Sequence, residues 1–328
     1  CSSDLFLDIN IKYTGGINMK FIDLHCDTIA KLMENVETSE LKSNKYSVDI
    51  DRLKKGDSLA QTFALFVDTE EVKHPFDYCM SMANKFHEEM KKNSDEIALA
   101  TNYEEIMKNQ SEGKLTALLS IEEGAVLEGK LENLKKFYDL GVRMMTISWN
   151  HVNELSFPHN KVEYREKGLT DFGREVVHKM NELGMLVDVS HISDGGFYEI
   201  AKISSKPIIA THSNSRAMMN HSRNLTDDMI KVLANKGGVT GINFFHLFLS
   251  DKSESKLEDM VRHIKHIVNV GGIDVVSLGS DFDGIDSKVE IEDISQMGKL
   301  YEPLKKEGFS EDDIEKIYYK NALRVIKE

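Results

Sequence analysis

A chain of 328 residues with 41% hydrophobic and 29% charged side chains has the balance of an ordered globular protein, and its four prolines argue against a disordered linker. A formal net charge of −14 repels phosphate backbones and anionic lipid surfaces, which disfavours nucleic acid and membrane partners and points to a small substrate. The most apolar stretch, GVTGINFFHLFLS (238–250), is far short of the roughly 20 residues that span a bilayer, and it carries His246.

Residues 1–18 have neither a basic n-region nor a long apolar h-region, and Met19 stands directly before the first strand pattern. They read as a leader or cloning remnant ahead of a single domain over 19–328, with a lipid-modified Cys1 as the rival reading. Eight short, β-rich apolar runs follow: KFIDLH (20–25), LAQTFALFV (59–67), LTALLSIE (115–122), VRMMTIS (142–148), MLVDVSH (185–191), PIIATH (207–212), GGVTGINFF (237–245) and DVVSLGSD (274–281). Several are continuously apolar, as strands buried on both faces are. Capped helix patterns separate them, such as TDFGREVVHKMNELG (170–184), opened by Thr170 and closed by Gly184, and TDDMIKVLANKGG (226–238). The charged stretch 69–114 reads as helical insertions, not a second domain. Eight alternations of strand and helix predict an α/β fold, a closed (β/α)8 TIM barrel. The rival, an open doubly wound sheet, usually carries a Gly-rich phosphate loop after its first strand, and this chain has none. Three cysteines, Cys1, Cys26 and Cys79, lack zinc-finger or redox spacing and predict a reducing, cytoplasmic setting.

In such barrels the reactive groups sit at the carboxyl ends of the strands. Here those ends are polar: His25 and Asp27 on the first, Glu122 and Glu123 on the third, Asn150 and His151 on the fourth, His191 on the fifth, His212 on the sixth, Asp281 and Asp283 on the eighth. Imidazole and carboxylate together suit zinc or a similar first-row divalent ion, and this many ligands suit two. The two-residue strand period puts His25 and Asp27 on one face and Cys26 on the other, where it reads as a small buried hydrophobe. The remaining histidines, His159 among them, read as structural, with His246 a candidate for the pocket mouth.

The segments DLHCDT, SIEEG, VDVSHIS, IIATHSNSRAM, SRNLTDD, GSDFDG and NALRV, in this order from Met19 to the terminus, make the chain resemble the renal (membrane) dipeptidase family of binuclear zinc peptidases. The resemblance implies a (β/α)8 barrel, two zinc ions per chain, and hydrolysis of the peptide bond of a dipeptide by a metal-bridging hydroxide. It implies one zinc on His25 and Asp27, a bridging Glu122, and a second zinc on His191 and His212. Glu122 is preferred to Glu123 because the family's glutamate directly follows the apolar strand. By the same resemblance Asp281 shuttles a proton to the departing amine, and Arg223 grips the free carboxylate of the substrate. The chain departs from the mammalian pattern after the fourth strand, where SWNHVNE offers His151 as donor to the developing oxyanion and Asn150 as the alternative substrate contact. A homodimer is the assembly the resemblance suggests. One rival is another amidohydrolase-type metal hydrolase, a deacetylase or lactonase, which usually opens with His-x-His where this chain has His25-Cys26-Asp27. The other is a non-catalytic metal-binding barrel, which should have lost a ligand or Asp281.

Overall fold

In the computed structural model of the chain, residues 19–34 and 39–328 are described. The leader and Cys1 readings lie outside them. Eight parallel strands close into a barrel: β1 (Phe21–Cys26), β2 (Ser58–Phe66), β3 (Leu115–Glu122), β4 (Val142–Thr146), β5 (Leu186–Asp188), β6 (Ile208–Ala210), β7 (Val239–Ile242) and β8 (Val276–Leu278). Each pairs in parallel with the next, and β1 pairs with β8 through Asp23 and Leu278 to complete the ring. Helices between consecutive strands supply the crossovers that parallel pairing requires. This is the predicted TIM barrel, although the later strands are shorter than the apolar runs, because the runs continue into the strand-end turns.

The caps read from the sequence form as expected. Thr170 Oγ1 accepts the backbone N–H of Gly173 at 3.0 Å and starts the helix Asp171–Leu183, which Gly184 ends with φ +72°. Thr226 opens the helix Asp227–Asn235 in the same way. The charged stretch 69–114 holds the helices Pro75–Lys92 and Tyr103–Ser111, and also a short strand, Ile97–Leu99, that lies beside the start of β3. That strand lacked a signal because its three residues are too few to show a period.

The barrel is filled in layers. A compact apolar cluster gathers Ile22, Leu24, Leu59, Leu118, Met144, Leu186, Ile209 and Val239 from successive strands, with Ala322 and Val325 of the last helix packed against them. A larger apolar cluster fills the space between strands and helices and contains Cys26, which is buried with Ile29, Leu32, Cys79 and Phe86 as the strand period predicted. Buried polar groups follow. Asp23 accepts the Ser280 N–H and hydroxyl and the Gln61 amide, and Asp188 accepts the hydroxyls of Thr146 and Thr211. Each buried carboxylate is thus paid for by several donors.

Close approach of β6, β7 and β8 needs two glycines. A Cβ on Gly241 or Gly279 would collide with the Thr211 carbonyl oxygen, one residue before His212. Gly279→Ala should therefore destabilise the chain by about 1–3 kcal/mol in urea unfolding, the usual cost of overpacking. An unchanged midpoint would show that the strands spread at no cost.

Candidate metal centre

The site stands at the carboxyl rim. His25 is the penultimate residue of β1, Asp27 follows the strand, Glu122 ends β3, and His191, His212 and Asp281 lie just beyond β5, β6 and β8. Their side chains converge on one buried point. Glu122 Oε2 lies 3.1 Å from His25 Nε2, while Glu122 Oε1 lies 3.0 Å from His191 Nε2 and 3.4 Å from His212 Nε2. His25 Nε2 is also 3.4 Å from Asp27 and 3.8 Å from Asp281. Two groups of ligand atoms result, His25 with Glu122 and His212, and His25 with Asp27 and Asp281, each drawn within 4.8 Å. The two oxygens of Glu122 face different halves of the cluster.

Hydrogen bonding fixes what the histidines can do. Thr146 and Thr211 both donate to Asp188, so the Thr211 hydroxyl oxygen is left to accept the Nδ1–H of His212 at 2.8 Å. His191 Nδ1 lies 3.2 Å from the side-chain oxygen of Asn150. With both Nδ1 atoms protonated, the two Nε2 atoms carry lone pairs and face each other at 3.0 Å, where no hydrogen bond joins them. A cation held by both removes that repulsion. His25 Nε2 and Asp27 Oδ1 are buried without a hydrogen-bond partner, which is a further fit to ligand roles.

Electrostatics point the same way. Burial lowers the pKa of His191 and of His212 well below the usual value, helped by Arg223 on the first and His25 and Arg223 on the second, so both are neutral donors. Burial opposes a charge on His25, but Glu122 and Asp27 outweigh it and raise its pKa well above the usual histidine value. Burial also raises Glu122, pushes Asp27 up to about 6 and pushes Asp281 up to about 7, with His25 pulling against it in each case. Three buried carboxylates around one point call for positive charge, and this nitrogen and oxygen donor set fits first-row divalent ions.

Asp281 is oriented by Asn243, whose amide donates to its Oδ2 at 2.8 Å, while Oδ1 faces His25. Arg223 is 3% exposed, donates to Ser213 Oγ at 2.6 Å and to the His212 carbonyl at 2.9 Å, and leaves Nε without a partner. Burial lowers its pKa to about 10, which keeps it charged at neutral pH. No carboxylate among the described residues lies within ion-pair distance of it. Glu123 turns away from the cluster, with φ +106°, and accepts the backbone N–H groups of Ala125 and Trp149 and the Asn153 amide.

The other strand-end residues stand further out. His151 lies at the rim, 3.5 Å from Asp68 and 3.3 Å from Glu70, with its ring edge-on to Trp149 and no contact with the cluster. His246 begins a short helix, His246–Leu249, beyond β7. Sequence reasoning missed His159, whose ring is 5.9 Å from that of His191, and Asn243. His159 sits far along an irregular loop with no period to expose it, but Asn243 directly follows β7 and could have been read as a strand-end residue.

Residues 17–328 match the family model described as membrane dipeptidase (peptidase family M19). A Claviceps purpurea (strain 20.1) protein named Dipeptidase tcpJ is 30% identical over 292 residues, covering 86% of this chain and 69% of its own. A Klebsiella pneumoniae protein, an uncharacterised protein in the pqqA 5′ region, is 36% identical over 227 residues, covering 66% and 83%. Among solved structures, a Rhodobacter sphaeroides metallo peptidase liganded with a phosphinate mimic of the dipeptide L-Ala-D-Ala superposes with a TM-score of 0.88 at 23% identity, covering 94% of this chain and 99% of that one. The dipeptidase AC, a metallo peptidase of the same family, has a TM-score of 0.88 at 24% identity, covering 94% and 98%.

Protons and metal ions compete for these ligands, because His25 and Asp27 hold protons up to raised pKa values. Raising the proton concentration must therefore weaken metal binding. Calorimetric titration with zinc should show affinity falling from pH 8 to pH 6, with protons released on binding. Affinity that does not change with pH would remove these groups from the ligand set.

Proposed function

Because the chain belongs to the membrane dipeptidase family, peptidase family M19, and is thus a peptide-bond hydrolase with a metal requirement, we propose that it is a dizinc dipeptidase. His25, Asp27 and Glu122 would hold one ion, and Glu122, His191 and His212 the other. When bound, such a pair polarises the scissile carbonyl and lowers the pKa of a water enough for attack near neutral pH. The observation that carries the substrate assignment is Arg223, a buried guanidinium beside the cluster with no carboxylate partner and one unpaired N–H.

A buried, unpaired cation is costly, and a substrate carboxylate offsets that cost with bidentate geometry. Ser213 and the His212 carbonyl fix the guanidinium plane, so the distance from Arg223 to the cluster is set by the backbone of the His212 ligand itself. A free C-terminus one residue from the scissile bond would suit that spacing, which limits the leaving side of the substrate to a single amino acid. Asp281 moves the proton. Its Oδ2 is tied to Asn243, and its Oδ1 takes a proton from the attacking water and returns it to the departing amine nitrogen. His151 is held at the rim by Asp68 and Glu70, and we give it no step. The buried free thiols of Cys26 and Cys79 are in keeping with a cytoplasmic location.

Asp281→Asn should leave metal content intact and lower kcat by about 10²–10⁴-fold, the usual worth of a general acid–base group. A fully active variant would take Asp281 out of the reaction. Amidating the C-terminus of a good dipeptide should cut kcat/KM by about 10²-fold or more, since it removes a charged partner of a buried arginine. Equal turnover of acid and amide would exclude carboxylate recognition by Arg223.

A further inference from the structure

We infer that Asn150 is a positioning residue of the metal centre: its side-chain oxygen holds the ring of His191 in the tautomer that turns Nε2 toward the ion. The inference rests on the dizinc reading above. As a ligand, His191 Nε2 must present a lone pair, so the ring proton belongs on Nδ1 and needs an acceptor. Asn150 Oδ1, 3.2 Å away, is the one hydrogen-bond partner of that nitrogen among the described residues.

The same oxygen receives a second donor. His159 Nε2 lies 3.2 Å from it, and His159 Nδ1 is 2.8 Å from the Ser222 hydroxyl. A Ser222 hydroxyl that donates to Nδ1 leaves the His159 proton on Nε2 and aimed at Asn150. Ser222 directly precedes Arg223, so this chain of bonds also ties the arginine loop to a metal ligand.

Asn150 is itself held. Its carbonyl accepts the Asn160 amide at 2.8 Å, and the preceding residue, Trp149, donates its N–H to Glu123 at 3.0 Å. Adjacent glutamates thus act on opposite sides of β3. Glu122 faces the ligands, and Glu123 sets the loop whose next residue orients His191.

The test is competitive titration of the zinc-loaded enzyme with a chelator of known affinity, which reads how tightly each ion is held. Asn150→Leu should weaken one of the two ions by about 10–100-fold and spare the other. Asn150→Asp, which keeps the acceptor oxygen, should hold both, and saturating zinc should restore much of the kcat lost in Asn150→Leu. An Asn150→Leu enzyme that binds both ions like the wild type overturns the inference, whether its KM changes or not. Independently of any variant, two-bond ¹H–¹⁵N correlation spectra of the wild-type zinc enzyme should place the His191 proton on Nδ1; a proton on Nε2 overturns the inference while leaving the dipeptidase reading intact. A wild-type chain that binds no zinc overturns both readings together, which distinguishes that failure from the others.

Discussion

The division of Glu122 between two histidine sets is the constraint on which the site depends. One oxygen faces His25 and the other faces His191 and His212, so a single carboxylate at the end of β3 fixes the separation of the two halves. That arrangement is costly without cations, since burial already raises the carboxyl pKa. The barrel carries the cost by surrounding the site with groups whose own demands are met. Asp23 and Asp188, directly beneath, each collect several donors and hold β1, β5, β6 and the exit of β8 at fixed spacing. Rigid polar groups below let the groups above remain incompletely satisfied.

The arrangement also explains why the histidines differ. Burial, helped by Arg223, drives His191 and His212 neutral, whereas at His25 the carboxylates of Glu122 and Asp27 outweigh burial and favour the protonated form. The same side chain is tuned in opposite directions within one cavity. Arg223 contributes to the first of these, as a positive field that helps to keep His191 and His212 uncharged, and is itself an unpaired guanidinium suited to an anion.

Much of this was legible in the sequence because strand-end positions follow from a period of two. The alternation that buried Cys26 also turned His25 inward, and it allows only one of Glu122 and Glu123 to face the barrel mouth. The loops carry no such rule. Asn150 and His151 are adjacent, yet one reaches His191 while the other pairs with acidic residues at the rim, and His159 returns to the site from far along the same loop. The strand exits themselves were also hidden: Glu123, His191, Asp281 and Asp283 all take positive φ, a conformation that ordinary propensities disfavour and that local packing must impose.

The seam between β1 and β8 has a consequence for biosynthesis. Asp27 N–H donates to the Phe282 carbonyl, Asp281 N–H to that of His25, Ser280 binds Asp23, and Asp283 accepts from both Thr28 and the backbone of Ser47. His25 and Asp27 at the end of the first strand and Asp281 beyond the eighth therefore meet across the joint that closes the ring. A ribosome delivers β1 first and β8 last. Throughout translation of the seven strands before it, the growing chain carries His25, Asp27 and Glu122 but neither a closed barrel nor Asp281, so the cluster is complete only when the ring is shut.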